Sequence, residues 1–216
     1  QFRFVGLASM ILCAGLLCKG HFALAADDAK PNIVLILADD LGYGDLGCYG
    51  ADTIRTPNLD RLAQSGMRFT DFYMAASVCS ASRAALLTGC YPLRVGISGV
   101  ISANVSIGLP SEEELLPELL MRNGYATGVF GKWHLGSFGA RHGTQHPVLS
   151  GFDDHRGSPG NLDVNNIPGD TDFFFWEKLV NGRVMASSTY ATTDTTNDGI
   201  DRIATMPEPW FAYVTY

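Results

Sequence analysis

Asn32-Ile33-Val34-Leu35-Ile36-Leu37-Ala38, followed at once by Asp39-Asp40-Leu41-Gly42, is the stretch that decides the fold class. An aliphatic run with no polar alternation predicts a strand buried on both faces, in a sheet covered by helices on each side. Two later runs have the same character, Tyr125 to Phe130 and Trp210 to Tyr216. Helical patterns stand between them. Thr56 to Gly66 reads as a helix with Thr56 as cap, Pro57 in the first turn, and Leu59, Leu62 and Ala63 as its apolar face. Ser111-Glu112-Glu113-Glu114 reads as a capping box for a helix running to about Asn123 and ended by Gly124. Leu115, Leu116, Leu119 and Leu120 form its core stripe, and Pro117 lies near its start, where it costs little. Thr193 to Met206 reads as a helix with Ile200 and Ile203 inward, stopped by Pro207 and Pro209. The fold class is α/β.

Met67 to Met74, hydrophobic and rich in aromatics, reads as a further strand. It runs up to Ser77-Val78-Cys79-Ser80-Ala81-Ser82-Arg83-Ala84-Ala85-Leu86-Leu87-Thr88-Gly89. Small residues and then Ala84 to Leu87 predict a helix closed by Gly89. Cys79 is therefore expected at a strand-to-helix junction, where partial positive charge and free N–H groups gather. Arg83 lies one turn further along the same face. Taken alone, an unpaired Cys is most often a buried structural thiol.

Asp39 and Asp40 stand at the end of the first strand. Adjacent carboxylates repel unless something positive separates them, and a hard divalent cation with oxygen ligands does so. The plainer reading is a solvated turn, since Asp and Gly form turns. Asp45 reads as a loop residue. Gly131-Lys132-Trp133-His134-Leu135-Gly136 follows the Tyr125 strand. Residues two apart project to one side of an extended chain, and the glycines permit close approach. A lone Lys or His at a strand end is usually ordinary surface. Lys19, Lys30, Lys132 and Lys178 are the only lysines, however, so Lys132 in an apolar stretch stands out.

The 216 residues are 46% hydrophobic and 17% charged, enough for one globular domain with a sizeable core. A net charge of −7 with no basic patch argues against a nucleic-acid partner. Arg3, the apolar run Phe4 to Leu17 and Ala23-Leu24-Ala25 read as a secretory signal over residues 1–25, leaving 26–216 as the domain. The run is too short for a stable membrane span. Acylation at Cys18 is disfavoured by the large Leu17 before it. The expected location is secreted or periplasmic. Cys13 and Cys18 leave with the signal, and the odd set Cys48, Cys79 and Cys90 remains. One thiol then stays unpaired unless it is modified, with Cys48 and Cys90 free or paired.

The stretch around Cys79 resembles the sulfatase signature Cys-x-Pro-Ser-Arg-x-x-x-Leu-Thr-Gly, with Ala81 where the family usually has Pro. Leu37 to Gly50 resembles the metal-binding N-terminal segment of arylsulfatases, and Gly131-Lys132-Trp133-His134 the second sulfatase signature, Gly-Lys-x-His. The likeness runs from Lys30 onward and is closest to the arylsulfatase A-like group. It implies a three-layer α/β/α sandwich around a mostly parallel mixed sheet, alkaline phosphatase-like and incomplete at the C-terminus. It also implies conversion of Cys79 to formylglycine by a maturation enzyme, and Ca2+ or Mg2+ held by Asp39, Asp40 and the modified Cys79.

The activity implied is hydrolysis of the sulfate ester of a small molecule or glycan. An unmodified thiol is a soft nucleophile, and a sulfate ester is a hard, anionic electrophile. In the family a hydroxyl of the formylglycine hydrate, acidified by the metal, attacks sulfur and the alcohol leaves. The second hydroxyl then loses its proton and expels sulfate, regenerating the aldehyde. By resemblance Arg83 stabilises the formylglycine and its charged neighbours, Lys132 neutralises sulfate oxygens, and His134 is the base for the elimination. The rival readings are a phosphonate or phosphate ester hydrolase of the same superfamily, a non-catalytic protein with Cys79 unconverted, and a thiol hydrolase, which would need a Cys–His pair.

Of the remaining segments, Tyr91 to Pro110 reads as an irregular loop near the site and carries the sequon Asn104-Val105-Ser106. Gly151 to Gly157 is expected to turn its charges to solvent or the cleft rim. Asn161 is placed near the substrate by the resemblance. Asp170 to Tyr190 reads as strand–turn–strand with Asn181-Gly182 at the turn, forming part of the substrate wall. Trp210 to Tyr216 ends the chain inside a core strand, which with the resemblance leads to the expectation of an N-terminal fragment.

Overall fold

The computed structural model describes residues 29–102, 105–162 and 173–216. The signal reading over residues 1–25, Asn104 of the sequon and residues 163–172 lie outside the described residues. Within Pro31–Tyr216, one compact unit, the described residues include six strands in a single mixed sheet, in the order β1-β6-β2-β3-β4-β5. They are β1 (Ile33–Leu37), β2 (Ala126–Gly131), β3 (Asp154–Gly157), β4 (Trp176–Val180), β5 (Arg183–Ser187) and β6 (Trp210–Thr215). The β1–β6, β6–β2 and β2–β3 pairs are parallel; β3–β4 and β4–β5 are antiparallel. The last strand in sequence is thus inserted between the first two, with Ile33 opposite Phe211 and Ala126 opposite Trp210.

Helices cover both faces, because the side chains of β2 and β6 alternate between two cores. Val129, Phe211 and Tyr213 point into the larger core, with Ile33, Leu35 and Leu37 of β1 packed against it. That core is closed by α2 (Cys79–Thr88) through Ala81, Ala84 and Leu87, and by α3 (Leu116–Arg122). Phe130, Ala212 and Val214 point the other way, where α5 (Ala191–Ile203), which follows the one-turn α4 (His146–Leu149) in the chain, lies with Met206 and Trp210. This is the α/β/α sandwich expected. The β4–β5 hairpin closes on Asn181 (φ 48°) and Gly182 (φ 81°), the two left-handed residues a type I′ turn needs.

Six expectations are corrected. First, β1 is an edge strand of the described sheet. Its inner residues are half-buried, while Val34 is 48% and Ile36 56% exposed, since no described helix covers that side. Second, Met67 to Met74 is not a strand. It is irregular and exposed, held by the Tyr43 hydroxyl bonded to the Phe72 backbone and the Tyr49 hydroxyl donating to the Phe69 carbonyl. Hydrophobic and aromatic composition favours a strand only where a partner lies alongside, and none does among the described residues. Third, α1 (Pro57–Ser65) forms as expected, but Leu59 and Leu62 are exposed. The Thr56 hydroxyl donates to Asp60 rather than capping the helix.

Fourth, α3 starts at Leu116 rather than near Ser111, with Glu118 accepting the Leu115 N–H at 2.8 Å. Pro117 decides this: lacking an N–H, it fits the first turn of the later start and would break a helix begun at Ser111. Fifth, Ile200 is exposed, and α5 buries Ala191, Thr195, Asp198 and Gly199 instead. Sixth, Asp154 and His155 of β3 are buried, not turned to solvent. Asp154 pairs with Arg156 and Arg202; Asp198 pairs with Arg156 and Lys178; Lys178 also reaches Asp194 at 2.6 Å. The polar stripe of α5 exists to meet these cations, which sit where a local apolar pattern would place hydrocarbon.

Candidate active site

The three parallel strands β1, β6 and β2 end on the same edge, the usual place for a site in an α/β sheet. Asp39 leaves β1 there, its N–H donating to the Tyr216 carbonyl at 2.9 Å. Lys132 leaves β2 and its Nζ donates to the Asp39 carboxylate. Arg83, fully buried in α2, places Nη2 3.7 Å from the same carboxylate oxygen. Its Nη1 donates to the Lys132 carbonyl at 2.7 Å, which also accepts from the Thr215 hydroxyl at 2.8 Å.

Cys79 is the first residue of α2, after the extended Val78, and is half-buried. It follows a loop rather than a strand, but the helix N-terminus is where the sequence puts it. Gly89 closes that helix in the left-handed conformation, its N–H donating to Ala85 at 2.9 Å. Arg83 carries the helix to Asp39 and Lys132. Asp40 is exposed and takes a positive φ of 56°.

His134 is buried. Its Nε2 bonds the Ile101 carbonyl at 2.9 Å, while Nδ1 is buried and has no partner among the described residues. Its backbone N–H donates to Pro159, and that of Trp133 to Ser158, so the segment continues the β2–β3 pairing past the strand ends. Trp133 is anchored in turn by His146, whose Nδ1 receives the indole N–H at 3.2 Å. Gly131 takes φ 103° against the Thr215 carbonyl; a Cβ there would lie 1.9 Å from that oxygen. Only glycine allows β2 to leave the sheet this close to β6.

Charge sets the protonation of the site. Burial pushes the Asp39 carboxyl up, but the hydrogen bond and charge of Lys132, with Arg83 behind them, hold it below its ordinary value. Burial and then the Lys132 charge bring His134 down to about 4, against the pull of the Ile101 bond. The ring is therefore neutral at neutral pH. Burial raises Tyr213, beside Arg83, to about 12.

Beside Lys132 lies a cavity of about 440 Å³. Asp39, Lys132, Asn161, Phe173, Trp176 and Thr195 are among the residues that line it. Asn161 and the aromatic hairpin were both expected near a ligand. Thr215, Tyr213 and Ile101 were not. No local pattern marks them, because each meets the site across a long sequence separation.

The chain matches the family model for sulfatases over residues 31–216. It belongs to the sulfatase family. This sulfatase sequence is 59% identical to arylsulfatase A of Homo sapiens over 118 residues, 53% of this chain and 23% of that enzyme. It is 51% identical to arylsulfatase G of Homo sapiens over 135 residues, 62% of this chain and 25% of that enzyme. The chain thus spans about a quarter of the length of the curated relatives it matches. Among solved structures it superposes on Ps i-CgsB with a TM-score of 0.75 at 33% identity, covering 87% of this chain and 45% of that one. It superposes on BT4656, in complex with its substrate D-glucosamine-2-N,6-O-disulfate, with a TM-score of 0.69 at 27% identity, covering 86% and 34%. The fold is the alkaline phosphatase-like α/β sandwich of these sulfatases.

Sulfatases as a family use formylglycine and a divalent metal. Asp39 and Asp40 fit a hard cation by donor chemistry, and the lowered Asp39 pKa keeps that carboxylate ionised. Two carboxylates alone do not complete the six or more oxygen ligands such a cation takes. Among the described residues no three His, Cys, Asp or Glu side chains gather as a metal site. Cys48, Cys79 and Cys90 are all free thiols, so Cys48 and Cys90 are unpaired here.

Proposed function

We propose that the protein carrying this chain hydrolyses sulfate esters, with Cys79 converted to formylglycine as the nucleophile. The observation that carries the reading is the junction at Arg83. One buried guanidinium joins the Cys79 helix to both the Asp39 carboxylate and the Lys132 loop. The three stretches that resemble sulfatase signatures thereby converge on one edge of the sheet.

Asp39 and Asp40, with position 79, are part of the shell for a divalent cation, Ca2+ or Mg2+. When bound, that cation acidifies an oxygen nucleophile and offsets sulfate charge. Lys132 binds the sulfate oxygens, and Arg83 holds position 79 and Asp39 in register. His134 is neutral and so able to take a proton. Burial, with the positive charge of Lys132 and then of Arg83, keeps its pKa low. An anionic ester seated on Lys132 counters that charge and raises His134 toward a useful base. Asn161 and the Phe173–Trp176 wall face the alcohol part of a sulfated small molecule or glycan. The bound substrate of BT4656, a sulfated sugar, supports this class. The secretory reading of residues 1–25 places the enzyme outside the cytoplasm, and N-terminal sequencing of the exported protein tests it.

The full-length protein, made together with a formylglycine-generating maturation enzyme, is assayed on paired aryl sulfate and aryl phosphonate esters. Faster turnover of the sulfate supports the reading, and preference for the phosphonate replaces it. Mass spectrometry of the Cys79 peptide should show a loss of about 18 Da on conversion. Full sulfatase turnover with an unconverted thiol would overturn the mechanism.

A further inference from the structure

The buried hydroxyl of Ser80, next to Cys79, accepts the Ile101 N–H at 3.0 Å. The carbonyl of the same residue, Ile101, receives His134 Nε2 at 2.9 Å. A backbone carbonyl can only accept, so Nε2 carries the proton and Nδ1 is left as the bare nitrogen. Gly160 lies beside the ring: a Cβ there would come 3.2 Å from Cδ2.

Beyond Ile101, the chain at Val105 to Leu109 is fastened at several points. The Ser137 hydroxyl donates to the Val105 carbonyl, and His146 Nε2 meets the Leu109 carbonyl at 3.1 Å. Leu109 N–H donates to Leu135 at 2.8 Å. At Ile101, the N–H donated to Ser80 ties this backbone to α2. The buried Ile101 side chain holds the residue in the core, and the Ser80 bond adds the polar restraint on its backbone beside His134.

We propose that Ser80 is a positioning residue: by holding the backbone of Ile101, whose carbonyl faces the ring, it favours the Nε2–H tautomer of His134 and leaves Nδ1 free to accept a proton. The proposal rests on the sulfatase reading only for the use made of that nitrogen. The tautomer itself is a property of the folded chain.

The test is ring-nitrogen NMR on the full-length protein labelled with 15N-histidine, with the His134 signals assigned by His134→Gln. The wild type should show a neutral ring protonated at Nε2. Ser80→Ala should give averaged ring nitrogens, the mark of mixed tautomers, and faster deuterium exchange at the Ile101 amide. Ser80→Thr, which keeps the hydroxyl, should restore the wild-type pattern. Ser80→Cys, close in shape and a weak acceptor, gives the same loss where Ser80→Ala does not fold. On an aryl sulfate, Ser80→Ala should lower kcat by about tenfold with KM unchanged, a fraction of the usual contribution of a general base. A wild-type ring protonated at Nδ1, or an unchanged tautomer in folded Ser80→Ala, overturns the proposal. Absence of sulfate turnover in the wild type would instead sink the functional reading and leave the tautomer result standing.

Discussion

Arg83 and Lys132 are joined backbone to side chain: the guanidinium donates to the Lys132 carbonyl at 2.7 Å, 49 positions along the chain. The same guanidinium faces Asp39, so one side chain holds helix α2 to the ends of β1 and β2. Arg83→Met should cost about 3 kcal/mol, because it leaves buried polar groups short of a partner. Urea denaturation measures this, and a loss below the error of the extrapolation would show that the junction is dispensable.

Cys79 has no packing role of comparable weight. It is half-buried at the start of α2, and the helix buries Ser80, Ala81, Arg83, Ala84 and Leu87 without it. Cys79→Ala in the matured full-length enzyme should abolish sulfate release while shifting stability by no more than about 0.5 kcal/mol. Parallel turnover and thermal melting separate the two effects.

Gly131 is the tightest point between β2 and β6. A Cβ would sit 1.9 Å from the Thr215 carbonyl, on a backbone with φ 103°. Gly131→Ala should destabilise the fold by about 4 kcal/mol and displace Lys132 with it. A melting temperature like that of the wild type would mean that the two strands can separate without cost.

Lys178 pairs with Asp194 and Asp198 in a nearly dry network between β4 and α5. Lys178→Met keeps the volume but leaves Asp194 without its cation and Asp198 with Arg156 alone, at a cost of about 3 kcal/mol. Because the pairs are shielded from solvent, raising the salt concentration should change this penalty little. A strongly salt-dependent penalty would place the network in water instead.

His155 is fully buried with neither ring nitrogen hydrogen-bonded among the described residues. Burial lowers it to about 4, against the raising effect of Asp154. Its folded pKa is thus below its unfolded value of about 6.5, so the unfolded chain binds the proton more readily. The associated stability is complete above about pH 6.5 and is lost as the pH falls toward about 4, at most about 3 kcal/mol. His134, lowered for similar reasons, shares the effect. His155→Leu should flatten the pH dependence by roughly half between those values. An unaltered slope in denaturation curves from pH 7 to 4 would assign the effect to other groups.

Local pattern was sufficient for most elements. The aliphatic runs became β1, β2 and β6, the small-residue stretch became α2 with Cys79 at its first residue, and Asn181-Gly182 made the hairpin turn. It failed where the outcome depended on a neighbour. Met67 to Met74 has the composition of a strand but no strand beside it among the described residues. Val34 and Ile36 belong to an apolar run but face no described helix. Asp154 and His155 read as surface residues and lie inside: Arg202, which pairs with Asp154, and Asp198, which pairs with the neighbouring Arg156, come from a helix far along the chain.

The sequence by itself determined which residue types stand at each strand end and helix start: Asp39 after β1, Cys79 opening α2, and Lys132 and His134 after β2. Backbone preference and side-chain periodicity act over a few neighbours, so such features can be read locally. Only the tertiary structure decided that Arg83 bonds the Lys132 carbonyl, that Ser80 reaches His134 through Ile101, and which faces of β1 and α5 are covered. Those contacts join residues 21 to 49 positions apart, and their partners are chosen by packing of the sheet and its helices rather than by any local pattern.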